Sequence, residues 1–215
     1  MRRSLLFLLL LAGCAPQATQ RPVTAFLSGP VSFYPDQTGL QWTYEPQGAL
    51  PDAPPYTLTV EGPGVVHGVP VILFRFTGRG QDRIYYRAIG PQGVQLLGFD
   101  ERITESKVRF NPPLLEYPPP QDLTVGAQWG GTSELTSVIE LPDHTYTTDH
   151  QELHYTYTVV SQSAVEVPAG RFEAYHIHLT LTSQGQTLEY VIWFVPHVGE
   201  VRTEGGLLLV QRNFR

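Results

Sequence analysis

"VEVPAGRFEAYHIHLTLTS", Val165 to Ser183, reads as a β-hairpin, and the rest of the chain is legible from it. Pro168 presets φ in the turn, and Gly170 supplies a position where φ can turn positive without a Cβ clash. After the turn the residues alternate strictly. Tyr175, Ile177, Leu179 and Leu181 form one apolar face, and His176, His178, Thr180 and Thr182 the other. A period of two over this length belongs to a half-buried strand, not to a helix.

The same signal recurs along the chain. Tyr56 to Val60, Val69 to Phe76, Arg83 to Ile89 and Val94 to Phe99 read as strands in the first half. Ser133 to Leu141, Leu153 to Val160, Phe172 to Thr182, Leu188 to Val195 and Leu207 to Gln211 follow in the second. The 20 Gly and 19 Pro interrupt helical periodicity throughout. About ten strands joined by short turns define an all-β, antiparallel architecture. Strands such as "LEYVIWFV" (Leu188 to Val195) are apolar on both faces and need cover on both. The expectation is a strongly curved antiparallel sheet, either a sandwich or a half-barrel curled around an apolar cavity. Tyr85, Tyr86, Tyr155, Tyr157, Tyr190, Trp193 and Phe194 fall on these strands, where they fill a core or line such a cavity.

"NPPLLEYPPPQD" (Asn111 to Asp122) is read as a connection, because proline offers no donor to a ladder. It divides residues 31–110 from residues 123–215, two halves with faint likeness. "GLQW" (Gly39 to Trp42) matches "GAQW" (Gly126 to Trp129). "TGRGQDRIYYRAIGPQG" (Thr77 to Gly93) aligns without a gap to "TSQGQTLEYVIWFVPHV" (Thr182 to Val198).

Three stretches resemble signatures of a loosely defined, largely uncharacterised group of bacterial exported proteins and lipoproteins: "YPDQTGLQWTYE", "VEVPAGRFEAY" and "IWFVPHVGEVRTEG". In that group an early segment reads roughly Y-P-x-x-x-G-x-x-W-x-Y, a later turn V-P-A-G-T-F, and a closing strand W-Y-A-P-G-V-G-x-V. The resemblance implies a β-rich, curved sheet and carries no enzymatic activity with it. The sequence departs from the pattern at Arg171, where threonine is usual, and at His197, where glycine is usual. The second departure bears on the local turn conformation.

The N-terminus is read separately. Arg2 and Arg3 precede an apolar run from Leu5 to Leu11, too short for a membrane span. Leu11-Ala12-Gly13-Cys14 resembles the lipobox of bacterial lipoproteins, in which the cysteine is alkylated with diacylglycerol and becomes the new N-terminus. The single cysteine of the chain thus has a use; it has no partner for an internal disulfide. Residues 1–13 are expected to be a signal peptide, 14–22 a lipidated tether, and 23–215 one β-rich domain. The expected location is exported and lipid-anchored through Cys14 to a bacterial membrane.

Fourteen Lys and Arg against 20 Asp and Glu give a formal charge of −6, with a single lysine, Lys107. That balance argues against nucleic acid as a partner. His150, His154, His176 and His178 are the residues that invite a metal reading. A tight turn at Pro168–Arg171 would set His178 opposite a residue near Val160, about 20 Å along the strand from His154 at roughly 3.3 Å per residue. No metal site and no cofactor are expected. Ser133, Ser137 and Ser163 lack a G-x-S-x-G context. The neighbours Asp143-His144 and Asp149-His150 fit polar loops, and Asp100, Glu101 and Glu105 fit a solvated strand end. The expectation is no catalytic residue and no enzyme, but a binding or scaffold module of the cell envelope. Its partner is an apolar ligand such as a lipid or, alternatively, another envelope protein.

Overall fold

A computed structural model describes residues 29–50, 52–141 and 143–215; Cys14 and the signal and tether segments lie outside these. Twelve strands follow one another as an antiparallel meander: β1 (Gln41–Pro46), β2 (Tyr56–Val66), β3 (Val69–Gly78), β4 (Gln81–Gly90), β5 (Gly93–Glu101), β6 (Ser106–Tyr117), β7 (Gln128–Glu140), β8 (Tyr146–Val167), β9 (Gly170–Ser183), β10 (Gln186–Val195), β11 (Gly199–Arg202) and β12 (Leu207–Arg212). β1 pairs with β12 through Trp42↔Arg212 to Pro46↔Leu207, so the sheet closes on itself as a barrel. The all-β antiparallel architecture is as read from the sequence. The curvature goes further than a half-barrel, and no second sheet forms among the described residues. Closure satisfies both edge strands at once, and an even number of strands permits it without a parallel pair.

The Val165–Ser183 hairpin forms as its sequence dictates. Val167 pairs with Gly170 across Pro168-Ala169, and Gly170 has φ +129°. Ile177 and Leu179 are buried, with Tyr175 and Leu181 packed beside them. The register differs slightly from expectation. His178 lies opposite Thr158 because Val160 is an extra, bulged residue on β8. The hairpin end outruns β10: Val165, Val167 and Ala174 join a cluster with Trp42, Val201 and Leu209, and Ala169 N–H donates to Leu209 O at 3.0 Å.

The two short matches between the halves have the same local structure. Gly39 (φ +89°) and Gly126 (φ +88°) each donate to a strand, at Val60 O and Val159 O, both at 2.8 Å. Val60 N–H and Val159 N–H donate back to Leu40 O and Ala127 O, both at 2.9 Å. The hairpin turns at Arg79-Gly80 and Gln184-Gly185 both hold two successive positive φ angles, the geometry that matches strand twist.

Asn111–Tyr117 corrects the reading of the proline-rich stretch, since it is the second half of β6. It pairs with β5 (Leu96↔Leu114, Gln95↔Leu115), while its ladder to β7 stops at Asn111↔Glu134. Side chains replace the missing ladder. Tyr155 Oη accepts from Leu115 N–H at 3.0 Å, Trp129 Nε1 donates to Leu115 O at 3.1 Å, and buried Ser133 Oγ donates to Pro112 O at 2.7 Å. The prolines sit where no β7 backbone acceptor awaits a donor, so their missing N–H costs nothing.

Candidate functional site

One end of the barrel is closed. The segment before β1 crosses it, placing Phe33 and Tyr34 against Tyr117 and Phe194, with Tyr34–Tyr117 and Tyr117–Phe194 ring centres 5.3 and 4.7 Å apart. Tyr34 Oη donates to Pro118 O at 2.5 Å. His197, in the β10–β11 turn, holds this floor from the other side. Its backbone N–H donates to Phe33 O at 3.0 Å, and its Nδ1 lies 2.8 Å from Val31 O. Its φ of +63° explains why glycine suits the position. Here the ring contact to the plug segment offsets the backbone cost.

At the opposite end, the turns between β1 and β2, β3 and β4, β5 and β6, β7 and β8, β9 and β10, and β11 and β12 surround a mouth. Between mouth and floor lies a cavity of about 600 Å³, within the range of small-molecule pockets. Much of its wall is apolar, including Leu58, Phe74, Leu96, Leu153, Leu179 and Ile192, all on inward-facing strand positions. Tyr85, Tyr157 and Phe194 line the cavity as well, whereas Tyr86 and Trp193 face outward beneath Arg109 and Arg202 at 4.9 and 5.3 Å. The predicted aromatics therefore serve as core, as cavity wall and as outer surface.

A line of ionisable groups runs through this apolar space. Arg87 on β4 forms a two-point ion pair with Glu116 on β6, Nε to Oε2 at 2.6 Å and Nη2 to Oε1 at 3.0 Å. Its guanidinium lies 4.9 Å from the ring centres of both Phe74 and Tyr85. Burial works against its charge, but Glu116, with Glu200 and Tyr85 adding to it, more than offsets this and keeps Arg87 protonated. Nearer the mouth, Arg83 is held by Glu101 and donates to Tyr85 Oη at 3.1 Å. Glu200 on β11 accepts from Tyr117 Oη at 2.7 Å, a bond that reaches across the barrel from β6. Burial pushes the Glu200 carboxyl up to about 7, against the smaller downward pull of the Tyr117 bond and of Arg87. Glu204, in the β11–β12 turn, borders the cavity mouth. Solvent reaches its side chain there, yet protein surrounds it closely enough for burial, then the Glu116 charge, to raise its pKa. Burial, reinforced by the nearby carboxylates, keeps the Tyr44, Tyr117 and Tyr157 phenols neutral well above their ordinary range. They remain hydrogen-bond donors.

The histidines lie elsewhere. His154 is opposite Thr182, and His178 is opposite Thr158, about 13 Å further along the strand at roughly 3.3 Å per residue. His150 contacts Glu134 and Thr136, His154 contacts Thr132 and Glu152, and His176 contacts Ser163 and Trp193. The acid–histidine neighbours do not engage each other: Asp143 accepts from Thr145, and His144 meets Glu140. Asp149 accepts from Gln151. Asp100 and Glu101 are not merely solvated, since Arg109 and Arg83 pair with them.

The residues that matter most in the cavity, Arg87, Glu116, Glu200 and Glu204, were not singled out by the sequence reading. One signal was available for the arginine. Arg83 and Arg87 share the alternation phase of Tyr85 and Ile89, which places charge on the inward face of β4. Glu116 was hidden inside the proline-rich stretch.

No family model matches the sequence, and no curated protein matches it. Two solved structures resemble the chain in fold. One is an exported protein of Bacteroides fragilis described as having a YmcC-like fold, with 14% identity, a TM-score of 0.47, and coverage of 85% of this chain and 99% of that one. The other is a lipoprotein of Parabacteroides distasonis, with 13% identity, a TM-score of 0.45, and coverage of 86% and 100%.

Proposed function

We propose that this protein is a non-catalytic binding module of the bacterial cell envelope, anchored through lipid on Cys14, that holds a ligand with an apolar body inside its barrel. The cavity of about 600 Å³, floored at one end and open at the other, carries the reading. A barrel that only needed a core would fill this space with side chains, as small barrels do. The lipobox at Leu11 to Cys14 supports the location. The test is to purify the protein, extract it with organic solvent and identify what leaves with it by mass spectrometry. A stoichiometric apolar compound is the expected result. An empty extract, together with failure to bind any added amphiphile, overturns the reading.

A second reading rests on the rim. Leu50, Ile103, Leu141 and Tyr146, on or beside the turns around the mouth, are exposed at 76, 63, 40 and 63%. Such a rim suits contact with another envelope protein. Site-specific cross-linking from Ile103 that captures one defined partner, with no ligand in the barrel, would favour this alternative.

A further inference from the structure

The charges around the cavity do not balance. Its wall carries two guanidiniums, Arg83 and Arg87, and three carboxylates, Glu116, Glu200 and Glu204. Each guanidinium already has a carboxylate of its own, Arg87 with Glu116 and Arg83 with Glu101. Among the described residues neither Glu200 nor Glu204 forms an ion pair: Arg87 acts on Glu200, and Arg87 and Arg83 on Glu204, only from beyond contact distance. Glu200 has only the Tyr117 hydroxyl on its carboxylate, while the Tyr44 hydroxyl is used on its backbone oxygen at 2.9 Å. Burying a carboxylate without a paired counter-charge is costly; this applies to Glu200, inside a space with aromatic and aliphatic surroundings, while Glu204 stands at the solvent-reached mouth of the same wall. An anionic head group would meet two further negative charges there. A positively charged nitrogen would meet two carboxylates at the edge of a space lined by aromatic and aliphatic side chains, surroundings that suit an ammonium head on an apolar chain.

From this geometry we infer that the barrel selects a cationic amphiphile: a ligand with an apolar chain and an ammonium-type head, held between Glu200 and Glu204. The inference rests on the binding reading above and adds the charge of the head group to it. Quaternary and primary ammonium heads share this chemistry.

Binding should also report on protonation. Glu200 is faced by Tyr44 from β1, Arg87 from β4, Glu116 and Tyr117 from β6, Tyr157 from β8 and Glu204 from the β11–β12 turn. Of these, Glu200 changes charge near pH 7. A cationic head binds its ionised form, so affinity should strengthen as pH rises from 6 to 8, whereas a neutral head should show no such trend.

The test uses the full chain with Cys14→Ser, which keeps every residue of the barrel. Binding of dodecyltrimethylammonium, dodecyl sulfate and dodecyl maltoside is measured by calorimetry below their micelle concentrations, at pH 6 and pH 8. The expected result is a preference of at least about tenfold for the ammonium compound at pH 8, smaller at pH 6. The Glu200→Gln, Glu204→Gln double variant should lose that preference while still binding the maltoside, which shows that it remains folded. Equal affinity for all three probes, or a preference for the sulfate, overturns the head-group inference and leaves the apolar pocket standing. Binding of none of them overturns the pocket reading as well.

Discussion

Glu200→Gln should stabilise the barrel above pH 7 and lose that advantage as the pH falls toward 4.5. In the folded protein the carboxyl is pushed up to about 7 from an ordinary 4.5, chiefly by burial. Between those values the native state holds a proton that the unfolded chain has released. Stability therefore falls as pH rises through this window. Keeping Glu200 ionised costs the folded state about 3 kcal/mol at full effect, since one pKa unit is about 1.4 kcal/mol, and water in the cavity reduces this toward about 1 kcal/mol. Glutamine retains an oxygen for the Tyr117 hydroxyl and carries no charge, so the 2.7 Å bond can persist. Arg87 keeps Glu116 as its partner. Urea melts of wild type and variant at pH 5, 6, 7 and 8 give the difference directly. The variant should gain about 1–3 kcal/mol at pH 8 and a clearly smaller amount, below about 1 kcal/mol, at pH 5. A difference that is constant across these pH values, or a wild type more stable at pH 8, would refute the assignment of Glu200 as a buried, under-compensated acid.

Three further outcomes follow from other parts of the chain. Arg87→Met should cost about 3–5 kcal/mol in the same melts, because it strands Glu116 without its cation in the barrel interior; a loss below about 1 kcal/mol would mean that Glu116 is freely hydrated. Gly170→Val should destabilise by about 1–3 kcal/mol, since φ at this position is +129°, whereas Arg171→Thr on the exposed strand start should change the midpoint little. Cys14→Ser should move the protein from the membrane to the soluble fraction, checked by fractionation and intact mass.

The strand content and the hairpins were legible because they depend on neighbours in sequence. Pro168-Ala169-Gly170 sets its own turn, and the alternation from Tyr175 to Leu181 needs only a period of two to declare an inward and an outward face. The same local logic made "GLQW" and "GAQW" recognisable as a pair, and it is the basis for reading Leu11 to Cys14 as resembling a lipobox. Three strands escaped it for identifiable reasons. β6 is broken by Pro112 and Pro113, which become tolerable only because Trp129, Ser133 and Tyr155 serve the orphaned backbone from β7 and β8. β11 is four residues long, too short to show a period. β1 was visible only as a tryptophan-bearing entry segment, because what makes it a wall of the barrel is β12, some 170 residues away in the chain.

Closure itself is of the same kind. Alternation tells which side chains face inward, but not whether the sheet meets itself or packs on a second sheet. The accumulated twist of twelve strands and the β1–β12 register decide that. The cavity and its charges follow from closure. Arg87 on β4, Glu116 on β6 and Glu200 on β11 are distant in sequence and ordinary one at a time. Only the closed barrel brings them into one low-dielectric space, where a carboxylate's environment is set by residues that no local pattern connects to it.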